Sequence, residues 1–94
     1  MYRVAPRARA DLVEIWDYTS ARWSIDRADA YVEDVTSAME LAGREPELGS
    51  RIDAIRPGYR KRSAGSHVIV YRQERGLVTI IRVLHKSMDL RRHL

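Results

Sequence analysis

Between residues 8 and 23, Leu12, Ile15, Trp16, Thr19 and Trp23 recur at intervals of three and four, a spacing that stacks side chains on one face of an α-helix. Tyr18 falls at the margin of that stripe, while Asp11, Glu14 and Asp17 lie off it and are expected to face water. A second helical period runs from 25 to 44, with Ala28, Tyr31, Val32, Val35, Met39 and Ala42 on one side. Ser24 is placed to cap it and Asp26 falls in its first turn, where unpaired backbone N–H groups favour a carboxylate. Trp23 and Ala28 stand where a hydrophobic staple would form, and Gly43 with Glu45-Pro46 marks the end. The two segments therefore predict an antiparallel helical hairpin with a very short connection.

From Glu47 to Gly58 the periodicity lapses into a loop, anchored by Ile52 and Ile55. Beyond it the period changes to two. Tyr59 to Ser63 and His67 to Arg72 read as strands, the latter alternating Val68, Val70, Arg72 with His67, Ile69, Tyr71. Gln73-Glu74-Arg75-Gly76 is a turn whose glycine can take positive φ, and Leu77 to Leu84 is apolar enough on both sides to be central. Tyr2-Arg3-Val4 predicts a short first strand, ended by Pro6. Two amphipathic helices need an apolar surface to cover, so the expected fold class is α+β: a two-helix N-terminal hairpin packed on a small, mainly antiparallel sheet. Residues 1–94 make one domain, with a tail over about 85–94.

Composition narrows this picture. With 45% apolar residues the chain is expected to fold, and the absence of cysteine removes disulfides and thiolate chemistry. No run approaches the roughly 20 apolar residues that cross a bilayer, and no signal-like N-terminus is visible, so no membrane partner and a cytoplasmic location are expected. Charge is distributed unevenly. Residues 1–50 carry six Arg/Lys against ten Asp/Glu, whereas residues 51–94 carry eleven against three. An acidic helical half joined to a basic half of strand and tail suggests a domain built to meet a partner.

Catalytic signatures are sparse. Glycine-rich phosphate loops, a His-Glu-x-x-His pair and a nucleophile elbow are all missing, and His67, His85 and His93 match no local metal spacing. Neither a metal nor a cofactor is therefore expected, and no catalytic residue is nominated. Arg82 interrupts Ile80-Ile81 and Val83-Leu84; its guanidinium needs either a helix carboxylate or a target beside it. Trp16, Trp23, Tyr59 and Tyr71 are expected to pack in the core, with part of the first helix's stripe left open as a groove near Tyr18. In the tail, Met88 and Leu90 are placed to cap the core, leaving Arg91 and Arg92 at the surface as donors to carboxylates or phosphates.

Three stretches, in order and spacing, carry a family resemblance: the opening helix with Leu12, Ile15, Trp16 and Trp23; the run from Arg56 through Tyr59-Arg60-Lys61-Arg62 to Tyr71-Arg72; and the ending from Ile81 to Leu94. Together they resemble the ParE toxins of bacterial toxin–antitoxin modules, over essentially the whole chain. The resemblance implies a RelE/ParE-type fold and neutralisation by a ParD-like antitoxin. It also implies inhibition of DNA gyrase by binding, with DNA engaged indirectly through gyrase, so that the chain acts as a protein inhibitor rather than an enzyme. Target-binding candidates are then Arg82, His85, Lys86, Met88, Arg91 and Arg92; antitoxin-binding candidates are Trp16, Tyr18, Arg60, Lys61, Arg82 and Arg91. The alternative is a ribosome-dependent mRNA endoribonuclease of the RelE type. Val68 stands where RNA-cleaving relatives look basic, and the last fourteen residues hold no tyrosine, which favours the gyrase reading.

Overall fold

The computed structural model describes residues 1–94. Strand β1 (Tyr2–Val4) leads into α1 (Pro6–Arg22) and α2 (Ile25–Arg44); a 3-10 turn at Pro46–Leu48 follows. The rest is β2 (Ser50–Arg51), β3 (Tyr59–Ala64), β4 (His67–Glu74), β5 (Leu77–His85) and a four-residue helix α3 (Leu90–His93). The five strands form one sheet in the order β1-β5-β4-β3-β2, antiparallel except for the parallel β1–β5 pair. This is the expected α+β architecture.

Local chemistry accounts for the helix ends. Pro6 opens α1 at the position where its missing N–H costs nothing. The Ser24 hydroxyl accepts from the Arg27 N–H at 3.0 Å, so the predicted cap forms. Gly43 does not end α2. It lies inside the helix, where a Cβ would come within 3.0 Å of the Tyr2 side chain, so its smallness lets β1 approach. The helix stops at Arg44 because Glu45 precedes a proline and is pushed out of helical geometry, to φ −134° and ψ 67°.

The sheet is covered on both faces. Under the hairpin, Ile69, Tyr71, Val78, Ile80 and Val83 meet Ala8 and Ile15 of α1 and Val35, Met39 and Ala42 of α2. The opposite face buries Ile52, Val68, Val70 and Leu84, with Ile55, Tyr59, Ile81, Leu90 and Leu94 packed over them. The tail thus folds back as a lid on the second face, through Leu90 and Leu94; Met88 is exposed instead of capping the core. Tyr59 also belongs to this second face rather than packing against the helices, with the Arg56 guanidinium 5.8 Å from its ring centre.

One irregularity steers everything at the end of β5. Up to Tyr71↔Ile80 the β4–β5 ladder follows the two-residue turn at Arg75-Gly76, both with positive φ. The next partner of Val70 is Arg82, so Ile81 is a bulge. It turns Val83 onto the helix face and sets His67 opposite His85, where an unbroken register would have placed Leu84.

Candidate functional site

The bulge leaves the Arg82 side chain nearly buried at the boundary between α1, β5 and the tail, and its partner is the carboxylate expected to face water. Asp11 is only 7% exposed. Its oxygens accept from Arg82 Nε at 2.8 Å and Nη2 at 2.9 Å, and Oδ2 also accepts from the Val83 backbone N–H at 2.9 Å. The reason is geometric. Strand β1 ends at Val4, so β5 beyond Ile80 has no neighbour on that side, and Asp11 takes the donor that β1 no longer reaches. The Asp11 hydrogen bond raises the pKa of the Arg82 guanidinium, keeping it charged. Arg82 Nη1 donates onward to the His93 carbonyl at 3.2 Å, tying the tail to the same node.

Around this node lies a cleft of about 390 Å³ between α1 and the end of β5, floored by Ile15 and Val83 and reaching Tyr18, His85 and Met88. A second cleft, about 550 Å³, continues from Tyr18 and His67 to Trp23, Arg27 and Tyr31. The two share Tyr18, Thr19, His67 and His85, so they form one groove running from the tail to the tip of the hairpin. Its margin carries apolar surface: Tyr18 is 64% exposed and Trp23 58%. Trp23 is therefore not a core residue. Its ring lies under the Arg27 guanidinium at 4.6 Å and near Arg22 at 5.7 Å. Trp16 is half-buried, its indole N–H bound to Asp29 at 2.8 Å across the two helices.

The groove gathers Tyr18, Arg82, His85 and Met88 among the nominated residues, but the others lie elsewhere. Arg60 turns to the Gly49 carbonyl at 2.8 Å. Lys61 and Lys86 border a separate shallow depression with Ser50, Arg62, Ser63 and Val68, a surface with three cations and no carboxylate. Arg91 reaches the Ala54 carbonyl at 3.4 Å, and Arg92 is exposed on α3. Among the groove residues outside that set, two stand out. Tyr31 and His67 are joined through the Tyr31 hydroxyl and Nδ1 at 2.6 Å, and burial together with His85 lowers the His67 pKa, against a smaller upward pull from Asp11. The bulge that brings His67 to His85 has no marker in the sequence beyond the stranded arginine beside it. No three histidine or carboxylate side chains are grouped to hold a metal, and no helix is long and apolar enough to cross a membrane.

The family model described as "ParE toxin of type II toxin-antitoxin system, parDE" matches residues 2–90. The chain belongs to the ParE toxin family. It is 46% identical over 94 residues to Toxin ParE1 of Mycobacterium tuberculosis (strain CDC 1551 / Oshkosh), covering 99% of this chain and 96% of that one. Toxin ParE1 of Caulobacter vibrioides (strain CB 15) is 43% identical with the same coverage. Among solved structures, one titled "Chromosomal ParDE TA system from P. aeruginosa" superposes with a TM-score of 0.80 at 19% identity, over 89% of this chain and 92% of that chain. At that identity it supports the ParE fold alone.

Proposed function

We propose that this ParE-family toxin arrests growth by binding DNA gyrase and stalling it on cleaved DNA, and that a ParD-like antitoxin neutralises it by laying a segment in the groove between α1, α2 and the ends of β4 and β5. The state of Arg82 carries the choice of binding over catalysis. In a strand otherwise rich in apolar side chains this arginine is the natural group to stabilise charge at phosphorus, yet both its inward-facing nitrogens are committed to Asp11. What the surface offers is an open groove with exposed Tyr18 and Trp23, beside a tail whose Lys86, Arg91 and Arg92 project into solvent. Aromatic side chains beside arginine are the groups that anchor protein interfaces.

Supercoiling by purified gyrase tests this directly: the free protein should abolish it at saturation, and stoichiometric antitoxin should restore it. Undiminished supercoiling at saturating protein would refute the gyrase target. A second reading rests on the depression around Lys61, Arg62 and Lys86, whose unopposed cations and serine hydroxyls suit a phosphate backbone. It predicts message cleavage in a translating extract, lost on Lys61→Ala; intact messages there dispose of it.

A further inference from the structure

Two histidines face one another across β4 and β5 where the two halves of the groove meet. His67 and His85 are directly opposed in the ladder, with ring centres 5.3 Å apart and ring planes at 81°. Hydrogen bonding fixes which nitrogen of each ring carries the proton. The Tyr31 hydroxyl accepts from the Ser66 N–H at 2.9 Å and stands 2.6 Å from His67 Nδ1 against 3.4 Å from the Ala64 carbonyl; the shorter contact assigns its hydrogen to Nδ1. The Ser87 backbone N–H donates to His85 Nδ1 at 3.1 Å. With both Nδ1 atoms acting as acceptors, each neutral ring bears its hydrogen on Nε2, and that nitrogen has no protein partner in either residue. Two free N–H donors on neighbouring rings select against a metal cation, which needs an unprotonated nitrogen, and select for an acceptor.

The charge of the groove turns on these rings. Helix α1 contributes Arg7, Asp11, Glu14 and Arg22 to its walls, α2 contributes Arg27 and Asp34, β5 contributes Arg82, and the tail His93. Lys86 follows His85 directly in the chain. Asp11 and Arg82 neutralise one another, and Arg22 and Arg27 lie over the Trp23 ring. Four arginines against three carboxylates leave the walls near neutral while the imidazoles are uncharged, and plainly cationic once they are protonated. Glu14 and Asp34 would repel a dianionic phosphate, whereas a single carboxylate flanked by apolar side chains matches a wall that includes Ile15, Tyr18 and Val83.

We infer that the His67–His85 pair seats one carboxylate of the antitoxin segment, accepting from both Nε2–H groups, and that the toxin consequently holds its antitoxin more tightly as the pH falls. This rests on the antitoxin lying in the groove. An anion bound at the exposed Nε2–H edges of the two rings favours their charged forms, so complex formation takes up protons. The gain begins as pH drops below the bound-state pKa of the pair and is complete below that of the free protein.

The experiment uses the full chain carrying Trp16→Phe, so that Trp23 alone reports, titrated with its cognate antitoxin at pH 7.5 and 6.0. The dissociation constant should be about five- to tenfold lower at pH 6.0, corresponding to uptake of up to one proton per complex. The double variant His67→Gln/His85→Gln should lose this dependence, and His93→Gln should retain it. Thermal melts of each variant separate loss of fold from loss of linkage. Histidine Hε1 resonances give the same reading without substitution: the midpoints of His67 and His85 should both rise in the complex. If Trp23 emission shifts on binding but affinity is flat or weaker at pH 6.0, or the two midpoints do not rise, the carboxylate seat is wrong while the groove remains the interface. If Trp23 emission does not respond at all, the groove reading itself fails, and this inference with it.

Discussion

Asp11→Ala is the sharpest perturbation this fold offers. The wild-type carboxylate satisfies two guanidinium nitrogens and one backbone N–H, with the side chains of Asp11 and Arg82 only 9% and 11% exposed. Removing it strands a nearly buried cation and an edge N–H together. Breaking a buried pair from one side costs about 3–5 kcal/mol. For a domain of this length that corresponds to a fall in Tm of more than about 12 °C. Equilibrium urea unfolding with a parallel thermal melt reads both quantities. Two further variants separate the parts. Asp11→Asn/Arg82→Met keeps an oxygen for the Val83 N–H while removing both charges, and should recover most of the loss, because apolar replacement of a buried pair is often neutral. Asp11→Leu/Arg82→Met leaves the Val83 N–H unpaired and should stay about 1–3 kcal/mol below it. If Asp11→Ala costs less than about 1 kcal/mol, the pair behaves as a solvated surface bridge. The account of how β5 is completed at its edge would then be wrong.

Other substitutions probe separate joints. A Cβ on Gly49 would land on the Tyr71 hydroxyl, which donates to the Pro46 carbonyl at 2.6 Å, so Gly49→Ala should destabilise by about 1–3 kcal/mol in chemical denaturation. Ser24→Ala removes the α2 cap and should cost about 1 kcal/mol by the same measurement. His67 has a folded-state pKa below its unfolded value, so the unfolded chain binds the proton more readily. Its contribution to stability is intact above the unfolded pKa near 6.5 and is lost as pH falls through the lower folded value; His67→Gln should flatten that part of a stability–pH curve. Deleting residues 86–94 strips Leu90 and Leu94 from the second face and should abolish both a cooperative melt and growth arrest. A deletion that leaves both intact would show the tail to be dispensable.

The periodicities were legible wherever one force dominated. α2, with Ala28, Val35, Met39 and Ala42 inward, and β4, with Ile69 and Tyr71 turned to the helices, follow the pattern of their apolar residues directly. α1 was legible as a helix but not in its rotation. Its inward face runs through Ala8, Asp11 and Ile15, because Asp11 is drawn in by Arg82 and the unfinished sheet edge. Trp23 is correspondingly turned outward and Trp16 only half-buried, so size and hydrophobicity misled where a hydrogen-bond requirement decided. The same holds for the candidate site. Arg82 was flagged because an arginine inside an apolar strand demands an explanation, and either answer was open. Tyr31 and His67 carried no such flag. His67 meets His85 only through a one-residue bulge, and pairing across a hairpin is blind to a bulge until the register is known.

The parallel pairing of β1 with β5 joins Tyr2 to Val78 and Val4 to Ile80, and Asp11 waits for Arg82 in the same way. During translation the opening segment therefore has no partner until nearly all of the message has been read. Whatever helical character the hairpin gains early, its inner face lacks the Val78, Ile80 and Val83 surface of β5 before then. A polypeptide ended before Leu77 could still pair α1 with α2 and β3 with β4, but would lack the β1–β5 ladder and the Asp11–Arg82 pair. The fold is therefore closed only by the last strand to be made, and its sheet edge and buried ion pair come into being together.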